Sequence, residues 1–474
     1  MNTYDLIVLG GGAGGLTVAA GAASLGANVA LVEKNRNLGG DCLHFGCVPS
    51  KAFITSAKKV FEAKKSAETY GMTLSGKPDI TKAMARVKEA IAEIQAEDSH
   101  ERFQDLGVDI YQGKGRIIKE HHIQVEEETD IKGKRVVIAT GSRPVIPPIQ
   151  GIESTSYLTN ETTFDVSKTP KRLLVIGGGP IGLELAQSFA RFGSEVTILE
   201  GNSTIFGQED EDVISVIKTQ LEKELTFQLN ARVKKVREEN GTKVVTYEQS
   251  GYEENIVVDD ILMATGRKPN TDDMGLDKIG VNLDDRGNIV VNDYLQTSKS
   301  HIYAIGDTNG KFPFTHAAGM EGKLVVRNAL FGIKGKVSYE NVPWVTYTDP
   351  QVFHLGLTEK EARENHHIKV FKVNTRDVDR FVTDRDLSGF IKVITDHKGH
   401  ILGAHALGTN AGDWMQEIVF AKTQGHKIGD ISNVIHPYPT HGAILQQSAD
   451  LYWRGKLFDG MLPKVAEKYI QWFR

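Results

Sequence analysis

Apolar residues are distributed along this chain in three recognisable patterns. Tyr4 to Leu9 is a short, nearly unbroken apolar run closed by glycines, the pattern of a strand buried on both faces. Small and apolar residues then continue at helical spacing from Gly14 to Leu25, and Asn28 to Val32 reads as a second strand. The succession is that of a βαβ unit. It returns in mid-chain, with a strand over Arg172–Ile176, a glycine turn over Gly177–Gly182, a helix over Leu183–Phe192 and a strand over Glu195–Leu199. Between the two units, a polar and apolar alternation at helical period predicts one long surface helix over Ile80–Leu106. Pro147-Pro148 and the polar run Gly151–Lys168 mark the connection. Beyond residue 345 the period changes. Phe371–Asn374, Gly389–Ile394 and Ile401–Gly408 predict an antiparallel sheet, and helical patterns follow near Asp413–Gln424 and Gly442–Trp453. This last part reads as α+β.

The glycines between strand and helix carry the first chemistry. Gly10-Gly11-Gly12-Ala13-Gly14-Gly15 fits G-x-G-x-x-G, with Gly10, Gly12 and Gly15 at the framework positions. Glycines there permit a tight turn and close approach of the backbone to a pyrophosphate, whose charge the following helix N-terminus favours. Glu33 ends the next strand, placed to accept a hydrogen bond from a ribose hydroxyl. The second unit repeats the arrangement with Gly177, Gly179 and Gly182, and with Glu200 closing its strand. Two such sites imply two dinucleotides, the arrangement of an electron-transfer enzyme using FAD and a nicotinamide. Glu200 would accept from a free 2′-hydroxyl and repel a 2′-phosphate, which favours NADH; a nearby Arg191 would leave NADPH open. The expected fold class is α/β, with two Rossmann-like dinucleotide-binding domains and a C-terminal α+β domain.

Composition narrows the reading further. A chain of 474 residues exceeds one ordinary domain. Its formal net charge is -5 with no basic stripe, so nucleic acid is not an expected partner. No run approaches the roughly 20 apolar residues that span a membrane. The N-terminus leads straight into a strand without a basic and then apolar region, so no secretory signal is read and a cytoplasmic location is expected. The only cysteines are Cys42 and Cys47. No further ligand is spaced around them for zinc, so no metal centre is expected. On an unbroken helix their sulfurs would share a face only loosely, but Gly46 and Pro49 can distort the turn and let them meet. A disulfide closing so small a loop is easily strained and labile, which is the catalytic kind. The alternative is two unrelated buried thiols.

Gly39-Gly40-Asp41-Cys42-Leu43-His44-Phe45-Gly46-Cys47-Val48-Pro49-Ser50-Lys51 resembles the active-site segment of the pyridine nucleotide-disulfide oxidoreductases, the family of lipoamide dehydrogenase, glutathione reductase and mercuric reductase. The resemblance extends over nearly the whole chain. Ala139-Thr140-Gly141-Ser142-Arg143-Pro144 and Ala264-Thr265-Gly266-Arg267 look like its two strand-end motifs, and Ile305-Gly306-Asp307 like its second FAD motif. Thr315-His316-Ala317-Ala318 with Glu321-Gly322 resembles the helix whose N-terminus points at the flavin ring.

The resemblance implies an FAD-binding domain (1–150 and 271–344), an NAD(P)-binding domain (151–270) and a dimerisation domain (345–474), with a homodimer sharing its active site. It implies FAD contacts from Gly40, Asp41, Lys51, Thr140, Gly141, Gly306, Asp307, Thr315 and His316, and a nicotinamide contact from Gly266. Cys47 would face the flavin as a charge-transfer thiolate, Cys42 would meet the acceptor, and Lys51 with Glu184 would form an ion pair beside flavin N5.

One segment departs from the family. Its disulfide-using members carry His-Pro-Thr-x-x-Glu, whose histidine shuttles a proton to the outer thiol of the partner subunit. This chain reads His436-Pro437-Tyr438-Pro439-Thr440-His441-Gly442-Ala443, with Tyr438 at the histidine position and Ala443 at the glutamate position. A tyrosine titrates near 10 and shuttles protons poorly at neutral pH. A Pro-Tyr pair at this point is similar to the mercuric reductase branch, yet this chain has no third cysteine to deliver mercury. The expected acceptor is a small molecule or metal ion, either directly from the flavin or through the thiols. The rivals are a dihydrolipoyl dehydrogenase using His436 or His441 as a displaced base, and a nucleotide-binding sensor without turnover. His44 is read as a polar loop residue, or else as a base or soft-metal ligand near Cys42.

Overall fold

The computed structural model describes residues 2–239, 241–458 and 462–474. Contacts divide it into two units, Met1–Gly201 with Phe227–Tyr339, and Asn202–Thr226 with Glu340–Arg474.

The first unit opens with β1 (Asn2–Leu9), α1 (Ala13–Ser24) and β2 (Val29–Glu33). β1 is buried on both faces because helices cover one side and the loop-rich segment 274–289 the other, which is why its apolar run does not alternate. Its sheet has seven strands. Val108–Gln112, β2, β1, Thr129–Ile138 and Ile302–Ala304 run parallel in that order, and the strands at 115–119 and 122–125 add an antiparallel edge. α1 is built from small residues so that a second helix, Thr315–Phe331, can lie close on it. A Cβ at Gly322 would come within 3.1 Å of the Gly14 carbonyl oxygen.

In the mid-chain repeat, Arg172–Ile176 lies between Glu195–Glu200 and Asp260–Met263, all parallel. The helix Pro180–Arg191 follows its glycine turn, with proline in the first turn where no amide hydrogen is needed. A three-stranded antiparallel sheet, 231–239, 242–249 and 252–258, packs beside it.

The second unit is a five-stranded antiparallel sheet in the order Trp344–Thr346, Gln351–Gly356, Ile401–Gly408, Phe390–Asp396, Ile368–Asn374. The helices Gln416–Thr423 and Ala443–Phe458 contribute Ile418, Ile444 and Leu445 to its core. Asn202–Thr226 joins this unit by contacts, although the sequence reading counts it with the mid-chain repeat. No helix among the described residues is long and apolar enough to cross a membrane.

One expected element is corrected. The pattern over Ile80–Leu106 is two helices, Ile80–Gln95 and His100–Asp105. Ser99 stops the run by capping the second helix, its hydroxyl accepting from the Arg102 amide, and Gln95 turns its side chain back onto the Asp98 carbonyl. The first of these helices does bury a stripe, Ile80, Ala83, Met84 and Val87, at helical spacing.

Candidate active site

The two cysteines meet because the helix between them breaks. α2 (Gly40–His44) ends at Phe45, Gly46 leaves helical geometry at φ -118° and ψ -111°, and α3 (Cys47–Thr69) starts afresh. A Cβ on Gly46 would lie 2.9 Å from Asp41 Oδ2, so the reversal has no room for a side chain. Pro49 falls in the first turn of α3, where its missing amide hydrogen costs nothing. Gly40, at φ +59°, lets the segment close on the first glycine turn, for a Cβ there would stand 2.7 Å from Gly12 Cα.

The thiols are free and hydrogen-bonded to one another. Their environments push them apart. Cys47 is lowered to about 6, because its thiolate accepts from the Cys42 thiol and the Thr315 hydroxyl and faces the Lys51 charge. The Thr315 oxygen lies 3.3 Å from its sulfur. Cys42 is raised, because its proton is held in that same hydrogen bond and burial disfavours its charge. The pair therefore keeps one proton, on Cys42, and carries its charge on Cys47. Iodoacetamide should alkylate the reduced protein with a rate that climbs as pH rises through about 6. A profile centred at the ordinary thiol value, near 8.5, contradicts this account.

Lys51, one turn into α3, donates to Glu184 Oε2 at 2.9 Å. Glu184 is 6% exposed, carried on the helix that follows the second glycine turn. Asp41 is held by Arg267 at 3.1 Å, and Arg267 also donates to the Ser142 hydroxyl at 2.7 Å. Ser142 donates in turn to Asp307, which lies 3.7 Å from Arg267. Gly306 and Asn309 donate to the buried Glu321, with Tyr339 as a third donor, and burial raises the Glu321 carboxyl. Arg267, Ser142 and Asn160, which donates to the Phe45 carbonyl at 3.1 Å, are absent from the sequence-derived site.

The residues suit two dinucleotides. At the first turn Gly10 sits at φ +107°, and Glu33 Oε2 accepts from the Gly11 amide at 2.7 Å. At the second, Gly177 is at φ +114° and Glu200 Oε2 accepts from the Gly178 amide at 2.6 Å. A Cβ at Gly12 would find only Gly40 Cα at 3.8 Å, and one at Gly179 nothing within 4 Å, so both glycines border open space at a helix start. A cavity of about 360 Å³ adjoins the first turn, lined by Ala13, Thr17, Gly39, Cys42, Val48 and Thr315. Ile94, Asp98, Arg102 and Phe103 line it too, so the region read as a surface helix contributes to the site. Thr140 donates to the Asn270 carbonyl at 2.7 Å; Gly141 (φ +69°), Gly266 (φ +113°) and Gly306 (φ +66°) form turns. Thr315 opens its helix, and the His316 ring stacks on Phe314. The Arg191 guanidinium lies over the Phe61 ring at 4.1 Å. His44 Nε2 engages the Leu38 carbonyl at 2.8 Å.

His436 and Tyr438 belong to the other unit. His436 is 9% exposed and set between two acceptors, Glu417 at 2.8 Å and the Val434 carbonyl at 3.1 Å. Both of its ring nitrogens are thus already engaged within its own unit. Tyr438 is 79% exposed and donates to Asp379 at 3.0 Å, which raises its phenol. His441 is more open, with Nε2 3.0 Å from Asp384.

The family model for pyridine nucleotide-disulphide oxidoreductases matches residues 4–322, and that for the dimerisation domain of the same enzymes matches 342–449. The chain belongs to this family. It is therefore an oxidoreductase of the flavoprotein disulfide reductase class, dependent on FAD and NAD(P)H and carrying a dimerisation domain. It is 33% identical over 440 residues to a mercuric reductase of Bacillus cereus, covering 92% of this chain and 69% of that protein. It is 36% identical over 458 residues to a dihydrolipoyl dehydrogenase of Staphylococcus aureus, covering 94% and 96%. A Cu(II) complex of the HOCl-induced flavoprotein disulfide reductase RclA from Escherichia coli superimposes with a TM-score of 0.85 at 28% identity, covering 95% of this chain and all of that one.

Proposed function

We propose that this enzyme draws electrons from NADH and delivers them through the Cys42–Cys47 pair to a thiophilic metal ion, in the manner of the mercuric reductase branch. The observation that carries this reading is that Cys42 borders a cavity beside the first glycine turn, while Tyr438 stands in the sequence where the family's disulfide-using members have their proton-shuttling histidine. FAD, when bound, supplies two-electron relay chemistry between nicotinamide and sulfur. Cys47 holds the negative charge, fixed by Thr315 and Lys51. Cys42 holds the proton and borders the cavity. A metal ion needs only thiolate sulfur, whereas opening a disulfide substrate needs a base at the outer thiol, and Tyr438 is a poor one. One NADH supplies two electrons, enough for one mercuric ion or two copper(II) ions. Glu200 repels a 2′-phosphate, which favours NADH over NADPH.

The test is NADH oxidation with Hg2+, Cu2+, a quinone and lipoamide offered separately. Turnover with a metal ion that disappears in Cys42→Ser supports the reading; lipoamide as the fastest acceptor refutes it. Glu184→Gln leaves Lys51 without its carboxylate, so reduction of bound FAD by NADH should slow by roughly 10²-fold at unchanged FAD content. Rapid mixing reads this directly, and an unaltered rate removes the pair from the chemistry.

A second reading, dihydrolipoyl dehydrogenase, is favoured by one feature: His441 is a third exposed and oriented by Asp384. It requires that His441→Asn abolish dihydrolipoamide oxidation.

A further inference from the structure

The second unit contains a cross-strand row, buried at His354, His405 and Lys392, that no flavin chemistry uses. Strand register sets Trp344, His354, His405, Lys392 and Lys372 opposite one another across all five strands of the antiparallel sheet. The acidic segment Glu209–Asp212 meets this row. Lys392 bonds Asp210 at 2.8 Å, Asp212 at 3.1 Å and Glu359 at 2.5 Å, and Lys372 takes Asp212 at 3.0 Å. Those pairs explain one half of the row.

The other half has a different construction. His354 and His405 are cross-strand partners, 2% and 0% exposed. Each gives Nε2 to a backbone carbonyl, Gly356 at 2.8 Å and Leu357 at 2.9 Å, so each carries its hydrogen there and turns Nδ1 inward. Glu209 Oε2 lies 3.0 Å from His354 Nδ1, and the other oxygen of Glu209 accepts from the Trp344 indole at 2.6 Å. His405 Nδ1 is buried with no hydrogen-bond partner. One nitrogen from each ring and one carboxylate oxygen all lie within 4.8 Å of each other.

The Glu209–His354 contact accounts for two of these groups and leaves the third orphaned. A buried lone pair without a partner is costly. What a bare imidazole lone pair, a second imidazole and a carboxylate share is a metal ion. The surroundings match such a site: each histidine is fixed by a carbonyl at its far nitrogen, and the carboxylate by an indole.

We propose that Glu209, His354 and His405 form a structural site for a divalent first-row transition ion of the zinc class. Two imidazoles and one carboxylate select zinc, cobalt, nickel or copper over calcium or magnesium. Bonds of about 2.0 Å would draw the three donor atoms to about 3.3 Å apart. The ion ties the segment Asn202–Thr226 to two neighbouring strands. No residue of the flavin site takes part.

The experiment uses the full-length, FAD-loaded protein with Cys42→Ser and Cys47→Ser, so that sulfur cannot bind metal, and without a histidine tag. After dialysis against chelator, Co2+ is titrated while visible absorption and Tm are followed. One equivalent per chain should develop tetrahedral d–d bands and raise Tm by on the order of 5 °C. His405→Gln should remove both responses while retaining FAD. Absence of bands and of any Tm shift with Co2+ or Zn2+ in the His405-containing protein overturns the proposal, as does an undiminished response in His405→Gln. Should His405→Gln fail to fold, His354→Gln replaces it, with the same outcomes. Loss of metal-reductase activity elsewhere in the molecule leaves this result untouched.

Discussion

Cys47→Ser is expected to lose NADH-driven reduction of thiol-dependent acceptors by about 10³-fold or more, and to lack the long-wavelength charge-transfer absorbance that NADH is expected to develop in the unaltered enzyme. The geometry explains why no smaller effect is expected. Serine cannot bond to Cys42 Sγ, and its hydroxyl keeps its proton under conditions where Cys47, lowered to about 6, has lost its own. The Thr315 hydroxyl and Lys51 remain in place but have no anion to stabilise. Cys42→Ser should behave differently. It preserves a thiolate at position 47 but withdraws the Cys42 thiol from the hydrogen bonds holding it, so the band should persist and its pH midpoint should rise. A quinone that takes electrons directly from bound flavin bypasses both sulfurs, and its reduction should stay within about tenfold in either variant. That control separates lost chemistry from lost folding. Band and turnover both surviving in Cys47→Ser would falsify the assignment of the sulfur pair.

The flavin side of this site is readable along the chain because its information is local. Gly10 to Glu33 and Gly177 to Glu200 each form one βαβ turn, so strand, glycines and acid come in a fixed order, and the structure closes each turn on its acid. The cysteines lie within one broken helix, and Gly46 and Pro49 mark the break. Contacts made across distant segments are a different matter. Arg267 reaches Asp41, Ser142 and Asp307, and nothing in the spacing of those residues joins them. His436 looks free as a sequence neighbour of Tyr438, yet Glu417, on another helix, occupies its second nitrogen. Glu209, His354 and His405 come together only through sheet register, which a period-two pattern does not specify between strands. The long helix over 80–106 fails for a smaller reason. Periodicity continues through residues 96–99, but Ser99 and Gln95 satisfy backbone groups locally and end the ladder.

The glycine turn allows folding and cofactor binding to be separated by two alanine substitutions three residues apart, at Gly15 and Gly12. At Gly15 a Cβ would stand 1.9 Å from the Gly10 carbonyl oxygen and 3.1 Å from its carbon, both backbone atoms. The turn cannot yield, because Gly10 is itself in the left-handed region at φ +107° and its own Cβ direction meets the Ala139 carbonyl oxygen at 2.4 Å. Gly15→Ala is therefore expected to cost on the order of 4 kcal/mol and to give little folded protein. Gly182 repeats the construction, its Cβ falling 2.2 Å from the Gly177 oxygen. Gly12 is the opposite case. Its φ of -87° and ψ of -176° suit any residue, and the nearest atom to a Cβ is 3.8 Å away. Gly12→Ala should fold with stability within about 1 kcal/mol of the original. The added methyl then occupies the space at the start of α1 where a pyrophosphate must approach the backbone amides, so FAD affinity should fall by about 10²-fold or more. Circular dichroism and the ratio of flavin to protein absorbance give the two readouts independently. A well-folded, colourless Gly12→Ala beside an insoluble Gly15→Ala is the expected pair; a fully yellow Gly12→Ala would mean that FAD does not approach the chain at this turn.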